Sequence, residues 1–191
     1  MGPVNGCRGI AVVGLPSSGK STFLTWAEEC GAGVAEWSEF ILRGLPKQPA
    51  DRTQAYNVAE MLVARRGVGF YPQQIFDSLS ATGRRFHVIS GARNPAELDC
   101  LEKLYVRFGV VWISSNYMAR FERSRFRSGI HRSEELDQFI RADLVELAGG
   151  LASIGARKTN TIILNDQSLR AFEQDAAACL DVMKGGRSAT P

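Results

Sequence analysis

One short segment of the sequence has residue types and a spacing suited to binding a polyphosphate. It comprises Gly14, Leu15, Pro16, Ser17, Ser18, Gly19, Lys20, Ser21 and Thr22, which match the Walker A pattern G-x-x-x-x-G-K-[ST]. Glycine at the first and sixth positions permits backbone angles that turn several N–H groups towards one anion. Lys20 can reach the β- and γ-phosphates of a nucleoside triphosphate, and the Ser21 hydroxyl can bind Mg²⁺. The segment therefore predicts a triphosphate site, with ATP and Mg²⁺ as cofactors.

The sequence on either side of this loop supports the prediction. An apolar run at residues 10–13 predicts a buried strand, and an amphipathic helical pattern follows the loop to about Glu29. The N-terminus of that helix would direct the positive end of its dipole at the bound phosphates. Strand, loop and helix in this order are the context in which the motif binds phosphate.

Length and composition indicate a single α/β domain over residues 1–191. The 191 residues, of which 45% are hydrophobic, suffice for one core. The chain has no uninterrupted apolar run of about eighteen residues, and its first residues lack the pattern of a secretion signal. The 4 cysteines are scattered without metal-binding spacing. We therefore expect reduced thiols in a cytoplasmic protein without a membrane partner.

Apolar runs alternate with helical patterns along the whole chain. After the first strand, further strands are predicted at residues 34–37, 86–90, 110–114 and 161–165. This alternation predicts a doubly wound five-stranded parallel sheet whose ligands bind at the carboxyl ends of the strands. Helices are predicted at residues 38–43, 51–66, 72–81, 95–108, 116–127, 134–147 and 168–183, a loop at 45–49, an irregular segment at 149–160 and a flexible tail at 185–191.

Arginine dominates the cations, with 18 arginines against 5 lysines and a net charge of only +3. The densest group comprises Arg120, Arg123, Arg125, Arg127, His131 and Arg132, with Glu122 as its one acid. Arg120, Arg123 and Arg127 share one helical face. In phosphoryl transfer such side chains neutralise charge on the transferring group. A solvated basic face is the alternative interpretation.

The order and spacing of six segments resemble those of P-loop nucleoside and nucleotide kinases. The similarity is greatest to an adenylate-kinase-like family that includes an archaeal dephospho-CoA-kinase-like group. The six segments are residues 14–21, 38–43, 89–93, 120–127, 141–143 and 165–169. The resemblance implies a P-loop kinase with an Arg-rich lid at about residues 116–145. It also implies that Arg93, Arg120 and Arg123 act with Lys20 in catalysis.

The sequence departs from this family at the end of the third predicted strand. Ser90 stands where the family usually carries an aspartate that helps to hold Mg²⁺ through water. Serine cannot supply that charge. Either another carboxylate replaces it, or Ser21 and the phosphate oxygens hold the metal, or the enzyme is slow.

Candidates for the acceptor site follow the second predicted strand. A hydroxyl acceptor benefits from a carboxylate that orients it or takes its proton, and Glu36 and Glu39 are placed for this role. The alternative for each is a surface carboxylate, and for Glu39 it is also an ion pair with Arg43, which the resemblance places at the acceptor. Three aromatic residues, Trp37, Phe70 and Tyr71, could stack on a base or pack in the core.

Three functions are compatible with these residues. The first is a kinase of 5-hydroxymethyluracil in DNA, resembling phage enzymes of thymine hypermodification, with arginines 65, 66, 84 and 85 tracking the DNA backbone. The second is a small-molecule kinase acting on dephospho-CoA or a nucleoside monophosphate. The third is a P-loop regulatory ATPase, against which the arginines of the lid argue. We favour the first narrowly, with DNA containing a modified pyrimidine as the partner and the host cytoplasm as its location if it is phage-encoded.

Overall fold

The computed structural model describes residues 6–43, 52–128 and 134–185. Its strands are β1 (Arg8–Val13), β2 (Gly33–Glu36), β3 (Phe86–Ser90), β4 (Arg107–Ser114) and β5 (Thr161–Leu164). Its helices are α1 (Lys20–Glu29), α2 (Trp37–Arg43), α3 (Arg52–Arg66), α4 (Phe70–Ser80), α5 (Pro95–Leu104), α6 (Tyr117–Ser128), α7 (Glu134–Glu146), α8 (Ala152–Arg157) and α9 (Leu169–Lys184). A kinked turn (Leu147–Leu151), in which Gly150 has a non-helical φ of 120°, joins α7 to α8.

Several predictions concern residues outside these ranges. They are the loop at 45–49, the roles of His131 and Arg132, and the tail beyond Gly185. The predicted role of Arg127 also lies outside the description, because its side chain is not described. Among the described residues, none of the helices combines the length and the apolar character needed to cross a membrane.

The five strands form one parallel sheet in the order β2-β3-β1-β4-β5. Every neighbouring pair is parallel, which confirms the predicted doubly wound sheet. Parallel strands end at a common edge, so Glu36 of β2 lies in register with Ser90 of β3, and Ser90 with Val12 of β1. The phosphate loop that follows β1 therefore begins at the middle of this edge.

Helices cover both faces of the sheet. Successive residues of β1 point to opposite faces, so its side chains pack against helices on both sides. Ala11 and Val13 pack in one core layer with residues of α4, α5 and α8. Ile10 and Val12 pack in the other layer with Phe23 of α1 and residues of α9. These four β1 residues are all buried. The burial of both faces of β1 explains why its sequence reads as a continuous apolar run.

The boundary between α5 and β4 differs from the prediction. The helix was expected to continue to about residue 108, but α5 ends at Leu104 and β4 begins at Arg107. Tyr105 has an extended backbone, and Val106 donates its N–H to the carbonyl of Cys7. Pairing with β1 therefore satisfies the backbone hydrogen-bonding groups of residues 107–109 in place of a further helical turn. This pairing is a tertiary effect.

Two further segments also differ from the sequence-based expectation. Residues 149–160 were expected to be irregular, but they contain the end of the kinked turn and α8, because burial of Leu151 and Ile154 stabilises a helix there. The helix predicted at residues 38–43 begins one residue earlier, at Trp37. At the start of α5, Asn94 and Glu97 form a capping box.

Candidate functional site

The phosphate loop requires glycine at two of its positions. Gly14 has φ 147° and Gly19 has φ 114°, and both values are in the region that side chains rarely adopt. A Cβ atom at Gly14 would also overlap the carbonyl oxygen of Ile113, and one at Gly19 would overlap the side-chain nitrogen of Asn165. Backbone conformation and neighbouring atoms thus both exclude a side chain, as the motif predicts.

Lys20 is the first residue of α1, and its side chain folds back over the loop. Its Nζ donates hydrogen bonds to the carbonyl oxygens of Gly14, at 2.7 Å, and Leu15, at 2.9 Å. The residue as a whole is half-buried, but burial of its ammonium group lowers its pKa to about 8. The charge of the Lys20 ammonium group is compensated only in part here, and a bound phosphate would supply the remaining negative charge.

Four charged side chains act on the Lys20 ammonium group. Glu146 has the largest effect and raises its pKa, Arg93 lowers it, Glu36 raises it, and Arg120 lowers it. These residues come from β2, from the segment after β3, from α6 and from α7. The carboxyl edge of the sheet therefore brings together three of the predicted site residues and Glu146, which the sequence did not single out.

Arg120 is buried beneath the phosphate loop. Its guanidinium forms a bidentate pair with Asp143 of α7, at 2.9 Å from Nη1 to Oδ1 and 2.6 Å from Nη2 to Oδ2. Nη1 also donates to the carbonyl of Pro16 at 3.3 Å, and Nε to that of Ser115 at 3.2 Å. In this structure Arg120 joins α6 and α7 to the loop, and its contact with phosphate stays a prediction.

Arg123 lies one turn later on α6 and connects two loops at the edge of the sheet. Its Nη2 donates to the carbonyl of Asn165 at 2.7 Å, and its Nη1 to the hydroxyl of Ser115 at 3.0 Å and the carbonyl of Ser17 at 3.4 Å. The side chain of Asn165 in turn donates to the carbonyl of Ser18 at 2.8 Å. The segment after β5 is thereby fastened to the phosphate loop.

The two acceptor-site carboxylates lie in different surroundings. Glu36 ends β2, is half-buried, and lies beside Ser90 in the sheet. Glu39 is exposed and forms an i,i+4 ion pair at 3.5 Å with Arg43, which also lies over the ring of Phe40. The structure thus contains the local pair that was the alternative for Glu39, whereas Glu36 lies within the electrostatic reach of Lys20.

The three aromatic residues considered for base stacking lie largely inside the protein. Trp37 and Tyr71 are buried in the core layer that contains α4, and Phe70 is half-buried against it. His87 is also buried. Its Nδ1 lies 3.0 Å from the hydroxyl of Tyr105, and its Nε2 lies 2.8 Å from the carbonyl oxygen of Arg84. Core packing accounts for Trp37, Tyr71 and His87.

Of the two carboxylates on α7 that pair with arginines of the site, only Glu146 was missed, because charged residues on an amphipathic helix usually face solvent. Asp143 lies in segment 141–143, which the resemblance to P-loop kinases had included. Asp143 and Glu146 are three residues apart and share a face with Phe139, which is buried. Asp143 pairs with Arg120, and Glu146 pairs with Arg93 at 3.1 Å. The spacing of Glu146 relative to Phe139 was the available signal.

The donor groups of the site fit Mg²⁺ only as a complex with phosphate. Ser21 is exposed at the start of α1 and supplies a hydroxyl oxygen, and Glu36, at the end of β2, supplies a carboxylate that acts on Lys20. Both are the hard oxygen ligands that Mg²⁺ prefers. Across residues 6–43, 52–128 and 134–185, no group of three or more His, Cys, Asp or Glu side chains could hold a metal ion. Nucleotide oxygens would therefore have to complete the coordination.

The sequence is similar to that of proteins without a described activity. No family model matches the chain. It is 28% identical over 181 residues to a UPF0200 protein of Saccharolobus islandicus, an alignment that covers 93% of this chain and 95% of the relative.

Similar solved structures include three kinases. A gluconokinase from Sinorhizobium meliloti has a TM-score of 0.59 and 20% identity, with 94% of each chain covered. A shikimate kinase from Acinetobacter baumannii has a TM-score of 0.52 and 17% identity, with 93% of each covered. For a dephospho-CoA kinase from Campylobacter jejuni the values are 0.51 and 15%, with 93% of this chain and 98% of that one covered. The chain described here has the P-loop kinase fold.

Proposed function

We propose that this protein is an ATP- and Mg²⁺-dependent kinase that transfers the γ-phosphate to a hydroxyl group of a small-molecule or nucleotide-type acceptor. The observation that carries this proposal is the phosphate loop, where Lys20 Nζ lies 2.7 and 2.9 Å from two carbonyl oxygens of the loop. The loop begins at the carboxyl edge of the sheet, where β2 ends at Glu36 and where Arg93 follows β3. A phosphate-binding lysine, a carboxylate and a guanidinium are the groups that such a transfer uses.

On the donor side, the phosphate loop supplies the groups for the triphosphate. Its backbone N–H groups and the N-terminus of α1 would bind the phosphates, and Lys20 would exchange its two carbonyl partners for phosphate oxygens. Ser21 would hold Mg²⁺, which supplies charge neutralisation to the phosphates when bound. Arg93, Arg120 and Arg123 are the candidates that would stabilise the transferring group.

On the acceptor side, Glu36 is the stronger candidate for orienting the hydroxyl. It is half-buried at the end of β2 and is electrostatically coupled to Lys20. Glu39 and Arg43 lie one turn further along α2, where their ion pair is exposed. We assign them to the outer part of the acceptor site. A carboxylate beside the phosphate loop would repel an acceptor phosphate and favour a hydroxyl.

The choice of acceptor shifts from DNA to small molecules. The transfer to 5-hydroxymethyluracil in DNA, predicted narrowly from the sequence, gains no support from the similar proteins. Three similar structures are a gluconokinase, a shikimate kinase and a dephospho-CoA kinase, and these names favour the alternative of a small-molecule kinase. Dephospho-CoA, which offers a hydroxyl acceptor, therefore comes first among the acceptors to be tried, and a nucleoside monophosphate, which offers a phosphate, comes second.

Transfer of a labelled γ-phosphate tests this proposal directly. The protein is incubated with γ-labelled ATP and Mg²⁺ and, separately, dephospho-CoA, nucleoside monophosphates, gluconate, shikimate or DNA containing 5-hydroxymethyluracil. We expect label on one small molecule, and its loss in Lys20→Ala but not in Lys103→Ala, a substitution of an exposed lysine on α5. Label only on DNA would restore the first hypothesis. Hydrolysis of ATP without a labelled acceptor would instead indicate an ATPase.

A further inference from the structure

The junction between α7 and the kinked turn that follows it contacts Arg93 in two ways. At the end of α7, the Glu146 carboxylate lies 3.1 Å from Nε of Arg93. Four residues later, Gly150 packs so closely on the backbone of Arg93 that a Cβ atom there would overlap its carbonyl oxygen. Gly150 adopts φ 120° at this contact. The same short segment therefore fixes both the side chain and the main chain of Arg93.

The Glu146 carboxylate also lies within reach of the phosphate loop. Among the charged groups that act on Lys20, it has the largest effect, ahead of Arg93, Glu36 and Arg120. The end of β3 contributes no charge, because Ser90 is neutral and buried. The two carboxylates that act on Lys20 therefore come from α7, which carries Glu146, and from β2, which carries Glu36.

A kink at Gly150 accounts for how α7 can reach the site while the chain continues into the core. The side chain of Glu146 is mostly enclosed, with 13% exposed, and Leu151 is 3% exposed within the core layer of α4, α5 and α8. Gly150 has a φ of 120°, which is not helical, and this residue changes the direction of the chain between the two positions.

We propose that Glu146 is a positioning residue for phosphoryl transfer, which holds Arg93 through Nε after the carboxyl end of β3. The inference rests on the proposed kinase function. An arginine that must meet charge developing in the transition state has to be held in place before the reaction, and a small displacement reduces the rate strongly.

A double-mutant cycle on kcat tests this role. The variants are Glu146→Gln, Arg93→Met and the double variant, with Glu146→Asp as the conservative change. Glu122→Gln is the matched control, because it removes the same charge from an exposed Arg–Glu pair on α6. For Glu146→Gln we expect kcat to fall by about 10- to 100-fold, with KM for ATP and the Kd of a non-hydrolysable ATP analogue within about threefold, because the lost contact would act in the transition state.

The remaining variants distinguish positioning from a structural role. The double variant should be no slower than Arg93→Met alone, since both changes remove one function. Glu146→Asp should recover part of the rate, and Glu122→Gln should retain it. The positioning role would be overturned if folded Glu146→Gln kept the wild-type kcat. It would also be overturned if the loss in kcat of the double variant equalled the sum of the losses, in free energy, of the two single variants. A fall in Tm with kcat per folded molecule unchanged would likewise assign Glu146 to stability alone.

The proposed function fails in a recognisably different way. If the wild-type protein transfers phosphate to no acceptor, both the kinase function and this inference are overturned. If the wild type transfers phosphate and Glu146→Gln does so equally well, only the role of Glu146 is lost.

Discussion

Lys20 carries an ammonium group that is enclosed by its own loop and surrounded by charges of both signs. Burial lowers its pKa to about 8, and the neighbouring carboxylates of Glu146 and Glu36 act in the opposite direction. The residue thus remains protonated at neutral pH but close to the point at which it loses its proton. Binding of an anionic ligand should therefore favour the protonated form of Lys20.

The pH dependence of nucleotide binding follows from this pKa. Bound phosphate favours the protonated lysine, so the affinity for ATP should fall as the pH rises above about 8. Above that pH the free protein must take up a proton on binding. Calorimetric titration in buffers of different ionisation enthalpy should detect this uptake. Lys20→Met should bind weakly, without this dependence, and a flat profile from pH 7 to 9.5 in the wild type would contradict the assignment.

The same pKa predicts the sign of a stability effect. The folded value of about 8 lies below the ordinary value of 10.5, so the unfolded chain binds more protons between these pH values. Burial of the charged lysine therefore lowers the free energy of unfolding by its full amount below about pH 8, and this loss is relieved as the pH rises through the window. Comparison of wild type with Lys20→Met by urea unfolding at pH 7 and pH 9.5 isolates this contribution.

Glu36 and Glu39 offer a comparison within the acceptor site. If Glu36 orients or deprotonates the acceptor, Glu36→Gln should lower kcat by about 100-fold or more. Glu39→Gln should have a smaller effect, because its carboxylate is exposed and paired with Arg43. Glu60→Gln, on the exposed surface of α3, is the control. A larger loss in Glu39→Gln than in Glu36→Gln would reverse the assignment.

At the scale of the elements, α6 and α7 are joined to the phosphate loop by buried polar contacts. Arg120 and Asp143 are 3% and 7% exposed, so their pair is removed from solvent on both sides. Arg120 also contacts the aromatic rings of Tyr117 and Phe139, at 5.9 and 5.3 Å from their centroids. These contacts link the two helices predicted as a lid to the loop that binds the donor.

Removing one partner of this pair should cost more stability than removing both. Asp143→Asn leaves the buried guanidinium uncompensated, for which we expect a loss of about 3–5 kcal/mol in the free energy of unfolding. Arg120→Met with Asp143→Leu should lose less than Asp143→Asn alone, because it leaves no buried charge without its partner. Urea unfolding measures both variants. Glu122→Gln, in an exposed ion pair, should cost less than about 1 kcal/mol.

At the scale of the whole molecule, the sheet order places the phosphate loop at the centre of one edge. β1 lies between β3 and β4, so groups following β2, β3, β4 and β5 all approach the loop from its two sides. Ligand binding at this edge therefore involves most of the elements of the fold. We expect it to stabilise the protein as a unit.

Mg·ATP should raise the thermal stability, and removal of Mg²⁺ should reverse most of the gain. A ligand at 100 times its Kd adds about 2.7 kcal/mol to the free energy of unfolding, which corresponds to a rise in Tm of about 5–10 °C for a chain of this size. Thermal unfolding with ATP, with Mg·ATP and with Mg·ATP plus EDTA measures the two contributions. An equal shift with and without Mg²⁺ would contradict the role of Ser21 as a metal ligand.

Local patterns in the sequence were sufficient for the sheet and for the phosphate loop. Apolar runs identified the strands because buried parallel strands require them, and the Walker A spacing identified Lys20 and Ser21 because the loop is a local structure. The boundary between α5 and β4 was predicted wrongly, since pairing of residues 107–109 with β1 overrides their local preference. Local sequence therefore determined the class of fold and the type of site.

Only the tertiary structure decided which charges meet at the site. Arg93 and Glu146 are far apart in the sequence, and Arg120 finds its partner Asp143 only when α6 and α7 pack against each other. No spacing rule links such residues, because their contact depends on how three elements pack at one edge of the sheet. The sequence alone established that this protein has a phosphate-binding loop, and the fold determined which carboxylates and guanidinium groups surround it.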